Sequence, residues 1–551
     1  MKGLKRKGKL LFPLLSVFAG LFLYLLLPLS SKEWNFEFDK KMIASKREFL
    51  DRIRGGTSST YHSQSEAPPN ILLITADDLG KTDISLYGGE TVQTPNIDAI
   101  GAEGVTFTDA YCSSPICSPS RAGMLTGRYQ QRFGMEVQPQ NRYARNRLEY
   151  FVVKHFIDTG QWFLVEFGST PKKSAIEKQG LPPSEITLGE LLKSAGYRTG
   201  ITGKWHLGFH EEFIPNNRGF DDQYGFYEAF SLYAPAGSPG IVEYRHDYYA
   251  NKHIWKQERT GSCAVRRNHE VIEEPEYLTF RIAEEANRFL EENREEPFFL
   301  YVPFSAPHTP FQAPEEYCDR FSHVEDKNKQ VYYGMIAALD DAVGMIMEKL
   351  SELGLDENTL VMFASDNGGA TYTDATENAP LKGGKFMNFE GGINVPAMVR
   401  WKGTLPGGTA YSPMVSLLDF FSTAAGAAGV PLPEDRVIDG KNLLPYLRGG
   451  KGKPTRETKP HRALFWRAAY NKAVRSGPWK LIIDEKKGRE LLYNLENDKV
   501  EKRNLAARRP DVVDRLKAML EEWEKGLMGP LWPRVMDFRV EIDGEEYEFA
   551  L

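Results

Sequence analysis

Two unbroken apolar runs dominate the pattern of the chain. Asn70-Ile71-Leu72-Leu73-Ile74-Thr75-Ala76 is one, and Thr359-Leu360-Val361-Met362-Phe363-Ala364-Ser365 is the other. Neither alternates, so each predicts a strand covered on both faces, as in a parallel sheet flanked by helices. Tyr197–Thr202 and Phe298–Phe304 predict further strands. Helical text separates them. Thr187-Leu188-Gly189-Glu190 is a capping box, with Ile186 and Leu191 placed to staple it and Gly196 placed to end the helix. Pro275 to about Arg294 predicts another helix. Met335, Leu339, Val343, Ile346 and Leu350 form a stripe at helical spacing that predicts a core-facing helix.

The text changes near residue 446. A Gly/Lys/Pro-rich stretch, 447–460, predicts a linker. Short strands follow at Ala463–Ala469, Lys472–Ser476, Trp479–Asp484 and Glu490–Asn494, then a helix from Pro510 to about Lys525. Beyond residue 527 the chain alternates like strands. Residues 32–67 are polar, with Arg/Lys-rich helix-like text followed by Gly55-Gly56-Thr57-Ser58-Ser59, and predict a linker on the other side of the body. Residues 138–184 are aromatic and basic, which predicts local packing of an insertion in preference to a roof that stacks on sugar rings.

Composition adds boundaries. At 551 residues the chain can bury a large core and is long enough for one large and one smaller domain. A net charge of −6 supplies no global basic field, so nucleic acid is not an expected partner. Any attraction of an anionic substrate must be local. Four cysteines, Cys112, Cys117, Cys263 and Cys318, are too few for a disulfide scaffold, although a Cys263–Cys318 bridge is compatible with an oxidising compartment. Lys2, Lys5, Arg6, Lys7 and Lys9 precede an apolar run over residues 10–29. That order predicts an export signal, and residues 1–31 are assigned to it. The run is long for a cleaved signal, so an uncleaved membrane anchor stands beside cleavage. Either way the body is expected outside the cytoplasm, periplasmic or secreted.

The candidate chemistry lies where strands end. Asp77 and Asp78 follow the first apolar run, and Asp366 and Asn367 follow the second. Ligands of open α/β sheets bind at the carboxyl ends of strands, and these side chains are hard oxygen donors suited to Ca²⁺ or Mg²⁺. Cys117-Ser118-Pro119-Ser120-Arg121 places a thiol before a helix start, with Ser118 as the expected cap and Pro119 as the first helical residue. Free N–H groups and the Arg121 guanidinium would then face the thiol. Lys204 and His206, two apart in extended chain, offer a fixed cation and a titratable group on one face. His308 sits between Pro307 and Pro310 after a strand, and Lys385 follows Gly383-Gly384. The loops of residues 209–274 are expected to contact substrate.

Cys117-x-Pro119-Ser120-Arg121, continued by Leu125-Thr126-Gly127-Arg128, resembles the signature of type I, formylglycine-dependent sulfatases. Gly203-Lys204-Trp205-His206-x-Gly208 and the Asp-Asp and Asp-Asn pairs resemble further blocks of that family, in its order along the chain. The resemblance implies an alkaline-phosphatase-like α/β fold, a large mixed and mostly parallel sheet sandwiched by helices. A catalytic domain over 68–446 would carry a smaller antiparallel sheet-plus-helix subdomain over 447–527 and an extension over 528–551. It implies that a formylglycine-generating or sulfatase-maturating enzyme oxidises Cys117. The hydrated aldehyde would then attack sulfur, with one calcium ion, or less readily magnesium, held by Asp77, Asp78, Asp366 and Asn367. Arg121, Lys204 and Lys385 would neutralise the sulfate, His308 or Lys385 would protonate the leaving oxygen, and His206 would take the proton that frees sulfate. The expected substrate is a sulfated carbohydrate, polysaccharide or glycosaminoglycan. The alternatives are a phosphonate monoester or phosphodiester hydrolase of the same superfamily and a non-catalytic relative that binds sulfated glycans.

Overall fold

The computed structural model describes residues 19–27, 36–56, 68–140, 143–144, 146–165, 173–448 and 459–551. Most of the export segment, the stretch 57–67 and most of the expected 447–460 linker therefore lie outside the described residues. Among the described residues no helix is long and apolar enough to cross a membrane.

The apolar runs form the centre of a ten-stranded sheet. In chain order its strands are β1 (Asn70–Ala76), β2 (Val105–Phe107), β3 (Arg198–Lys204), β4 (Asp222–Phe226), β5 (Arg266–Arg267), β6 (Glu270–Val271), β7 (Phe298–Pro303), β8 (Thr359–Ser365), β9 (Ala397–Arg400) and β10 (Thr409–Tyr411). Across the sheet they run β10-β2-β9-β8-β1-β7-β3-β4-β5-β6. The five central strands, β8 through β4, are mutually parallel, and β9 runs against β8.

The lack of alternation in β1 now has its cause. Ile71 and Leu73 pack into one apolar core, and Leu72, Ile74 and Ala76 into another on the opposite face. The first core is closed by the helices Cys117–Thr126, Leu188–Ser194 and Asp419–Ala427, and the second by Pro95–Ala102, Leu278–Glu292 and Lys327–Glu352. Each buried Leu or Ile contributes about 1.5–3 kcal/mol, so a strand buried on both faces anchors the whole sheet. The stripe Met335–Leu350 is fully buried along Lys327–Glu352. The Thr187–Glu190 box forms, the Thr187 hydroxyl accepting from the Glu190 N–H at 3.0 Å and the Glu190 carboxylate from the Thr187 N–H at 2.9 Å.

Part of the stretch expected to be an N-terminal linker is instead a docked helix, Lys40–Gly55. Phe49 and Ile53, one turn apart, are buried, and the Lys46 ammonium donates to Glu190 at 2.6 Å and to the carbonyls of Pro183 and Glu185. An apolar pair embedded in charged text supplied enough buried area to hold the helix down.

The C-terminal strands form an antiparallel sheet, Leu464–Ala468, Asn471–Ser476, Trp479–Asp484 and Arg489–Asn494, backed by the helix Pro510–Glu524. The final hairpin, Met536–Ile542 with Glu545–Ala550, pairs with Trp162–Leu164 of the insertion to make a third sheet. Trp162 packs on Tyr372 at 4.8 Å between ring centres, Tyr372 stacks on Phe386 at 5.4 Å, and Phe386 meets Phe538 at 5.1 Å. Insertion and extension thus complete one another. The four cysteines are all free thiols, so no Cys263–Cys318 bridge forms.

Candidate active site

The carboxyl ends of the central strands converge on Cys117. The helix Cys117–Thr126 starts two residues earlier than expected: Ile116 is the cap, Cys117 opens the first turn, and the buried Ser118 hydroxyl has no partner. Pro119 fits there because first-turn N–H groups have no intrahelical acceptor. The thiol itself thus sits at the positive end of the helix. Its Sγ lies 3.4 Å from Asp77 Oδ1 and 3.8 Å from Asp78 Oδ1.

Three cations interleave with three carboxylates. Lys204 Nζ donates to Asp77 Oδ2, Lys385 Nζ to Asp78 Oδ2 at 2.9 Å, and Arg121 Nε to Asp366 Oδ2 at 2.7 Å. Arg121 also reaches the Lys204 carbonyl at 3.0 Å and Asp77 at 3.5 Å. Asn367 Nδ2 donates to Asp78 Oδ1 at 2.8 Å, and His308 Nε2 lies 3.6 Å from Asp78 Oδ2. All of these side chains are buried. Nine of the ten candidate residues are joined by direct contacts. His206, the tenth, is buried among Lys204, Arg121, Asp77 and Lys385, and its Nδ1 has no partner.

His206 reaches the site by an unexpected route. Strand β3 stops at Lys204, and His206 has a φ of 58°, so the two do not share a face by strand alternation. Asp78, with a φ of 61°, adopts the same left-handed conformation. Non-glycine residues held this way cost about 1–3 kcal/mol and cluster at functional sites. Just before Lys204, Gly203 has a φ of 134°, and a Cβ there would lie 2.0 Å from the Pro303 carbonyl. Only glycine lets β3 close on β7 at the point where Lys204 leaves the strand. The loop carrying His308 is pinned from behind by Tyr233, whose hydroxyl is 2.6 Å from the Ser305 carbonyl and 2.8 Å from that of His308.

The electrostatics follow from burial and this interleaving. Burial opposes ionisation of Asp77, but Lys204, His308 and Arg121 overcome it and hold the carboxyl far below the usual range. Burial, joined by Asp77, pushes Asp366 up to about 6. Burial, then Lys385, holds His308 down to about 4, and burial with Lys204 and Arg121 keeps His206 well below its ordinary value. Both imidazoles are therefore neutral at pH 7 and free to take a proton. Burial and Asp77 raise the Cys117 thiol well above the ordinary range, so the thiol is protonated and a poor nucleophile.

The donor set fits a divalent cation. Ligand atoms of Asp77, Asp78, Cys117 and His308 lie within 4.8 Å of one another. The buried Oδ1 of Asn367 has no hydrogen-bond partner. Carboxylates crowded enough to raise Asp366 would be relieved by such an ion.

A family model described as Sulfatase matches residues 69–430, which takes in every residue of this centre. The chain belongs to the sulfatase family. Sulfatases are enzymes that act on sulfate esters, and this sulfatase shares the alkaline-phosphatase-like architecture of its relatives. It is 35% identical to the N-acetylgalactosamine-6-sulfatase of Homo sapiens over 394 residues, 71% of this chain and 67% of that protein. It is 32% identical to the steryl-sulfatase of Homo sapiens over 479 residues, 76% of this chain and 75% of that protein. Among solved structures it resembles Ps i-CgsB in complex with k-i-k-neocarrahexaose, with a TM-score of 0.70 and 30% identity over 84% of this chain and 94% of that one.

The sulfatase also has site neighbours that its sequence did not advertise. The Ser120 hydroxyl donates to the Asp366 carbonyl at 2.6 Å, fixing the turn that presents Asp366. Tyr372 and Tyr248 are partly buried beside Lys385, whose charge acts on both hydroxyls. Ser120 lies inside a recognisable motif, but Tyr372 stands in a loop with no local signal, and only the fold brings it to Lys385.

Proposed function

We propose that this sulfatase removes sulfate from a sulfated carbohydrate through a formylglycine made from Cys117, with one calcium ion at the Asp77–Asp78–Asp366–Asn367 donors. The observation that carries the reading is Cys117 at a helix N-terminus, within 3.4 Å of Asp77 and ringed by Arg121, Lys204 and Lys385. The thiol is too weak an acid to serve as the nucleophile, and its Sγ marks where the oxygen of an oxidised side chain would stand. The hydrated aldehyde supplies a hydroxyl aimed at sulfur and a second one for release. A divalent cation supplies positive charge that favours the ionised hydroxyl and offsets the crowded carboxylates.

The chain's own residues do the rest. Lys204, Lys385 and Arg121, all buried, hold the sulfate oxygens where fixed charge is the largest contribution to rate. Of the two candidates for protonating the departing alcohol oxygen, Lys385 carries the proton at pH 7, whereas His308 is neutral. His206, neutral and without a partner at Nδ1, accepts the proton whose removal releases sulfate. The carbohydrate reading draws on the names of relatives at 30% identity or more, which include an N-acetylgalactosamine-6-sulfatase and a protein crystallised with a neocarrahexaose. Maturation by a formylglycine-generating enzyme and export through residues 1–31, by cleavage or as an anchor at 10–29, belong to the same proposal.

Hydrolysis of p-nitrophenyl sulfate and of phenyl phosphonate esters, followed by a panel of sulfated oligosaccharides, tests this reading. A preference for sulfate and for glycan sulfate is expected. A phosphonate preference above about a hundredfold, about 2.7 kcal/mol in favour of the rival substrate, would overturn it. The metal is tested without activity. Removing divalent ions with EGTA is expected to lower Tm, and restoring Ca²⁺ at about 100 times its Kd to recover about 2.7 kcal/mol. A Tm indifferent to both treatments would sink the ion site.

A further inference from the structure

A cavity of about 990 Å³ lies between the catalytic body and the C-terminal subdomain. Asp109 and the Ser412–Met414 loop of the catalytic body form one wall, and the Ser476–Pro478 turn and helix Pro510–Glu524 form the other. None of its lining residues belongs to the catalytic cluster. Five cations line it: Lys459, Arg462, Arg475, Lys499 and Arg515. Among the described residues its lining carboxylates are Asp109, already paired with Arg475 at 2.7 Å, and Glu496. Among the described residues Lys459, Arg462, Lys499 and Arg515 have no carboxylate partner, and all four are exposed. A chain of net charge −6 thus carries one concave surface of opposite sign.

The lining between the cations is apolar, with Pro413, Met414, Pro478 and Leu495 among it. Cations set around an apolar floor suit a ligand with hydrophobic ring faces and spaced anionic groups. A single-stranded nucleic acid gains much of its affinity from bases stacked on aromatic faces, and one face of the cleft's Trp479 ring is covered by the Arg509 guanidinium at 5.1 Å. We propose that this cleft binds a sulfated polysaccharide and holds a remote segment of the polymer whose ester is cleaved at Cys117. The inference rests on the sulfated-carbohydrate reading of the catalytic centre. Two sites on one chain raise the effective concentration of the polymer at the first.

The test compares the full chain carrying Cys117→Ala with the same chain also carrying Arg462→Ser, Lys499→Ser and Arg515→Ser. The probe is a dextran sulfate oligomer, titrated calorimetrically at low and high salt. The three changes are expected to weaken Kd about tenfold at low salt, and the difference is expected to shrink as salt screens the pairs. In the Cys117 background the same three changes should leave kcat/KM for p-nitrophenyl sulfate within about twofold, since none touches the centre. An unchanged Kd would overturn the proposal. So would a single-stranded DNA oligomer that binds as tightly and competes, or loss of p-nitrophenyl sulfate hydrolysis in the triple variant. Absence of all sulfate ester hydrolysis in the unsubstituted chain would instead refute the catalytic reading, because the Kd comparison does not depend on turnover.

Discussion

Cys117→Ala is expected to lower kcat/KM for p-nitrophenyl sulfate by about 10⁴-fold or more, while the protein folds as before. Losing a nucleophile costs this much because the remaining groups only bind and polarise the ester. Sγ makes only two long polar contacts, at 3.4 and 3.8 Å, both to carboxylates that keep Lys204 and Lys385 as partners. Tm should therefore shift by no more than about 2 °C. Steady-state kinetics alongside a thermal melt separates the two effects. Intact mass of the peptide containing residue 117 adds an independent check, since conversion of the thiol to an aldehyde changes its mass. Substantial hydrolysis by the alanine variant, or full activity from a protein carrying only thiol at 117, would remove the basis of the proposed chemistry.

Lys480→Met is expected to cost about 3–5 kcal/mol although it lies outside the catalytic cluster. The fully buried Lys480 ammonium sits 2.8 Å from Glu390 Oε1 and 2.9 Å from Glu501 Oε1, and Glu501 in turn accepts the Glu390 N–H at 2.7 Å. Removing the shared cation leaves two buried carboxylates with only neutral hydrogen-bond donors, Tyr111 and Asn394 on Glu390 and the Glu390 N–H on Glu501, which is where the large cost arises. The penalty should also depend on pH. Burial, opposed by Lys480 and aided by Glu390, pushes Glu501 up to about 7. A carboxyl whose folded pKa exceeds its unfolded value near 4.5 favours the native state at low pH, and that contribution is lost as pH rises toward 7. Without Lys480 the carboxyl is harder still to ionise, so the destabilisation should be larger at pH 8 than at pH 5. Thermal melts at the two pH values read this directly. A loss below about 1 kcal/mol, or one equal at both pH values, would contradict it.

The catalytic strands were legible because each carries its own evidence. A seven-residue apolar run without alternation suits a strand covered on both faces, and polar residues at its end then emerge where the sheet opens. That reasoning located Asp77, Asp78, Asp366 and Asn367 before any geometry was known. It failed where the deciding partner is distant in sequence. Ser118 has the chemistry of a helix cap, yet the helix begins at Cys117 because the Asp77 side of the sheet receives it there. The position of His206 is set by a left-handed backbone that no spacing rule anticipates. The Lys40–Gly55 helix reads as connecting text because its apolar contacts, Phe49 and Ile53 with half-buried Leu50, are few and set among charged residues. Glu390, Lys480 and Glu501 are separated by up to 111 residues, and nothing local marks them as one ionic unit.

The closing hairpin carries a genetic consequence. The Ala550 N–H donates to Asn471 at 2.8 Å, and Phe538 and Phe549 are buried. Phe538 touches Phe386, the residue next to Lys385. A nonsense or frameshift allele that spares everything through residue 530 would still strip this support from beside the sulfate-binding lysine. Lesions that remove the 536–550 hairpin therefore belong with loss-of-function alleles.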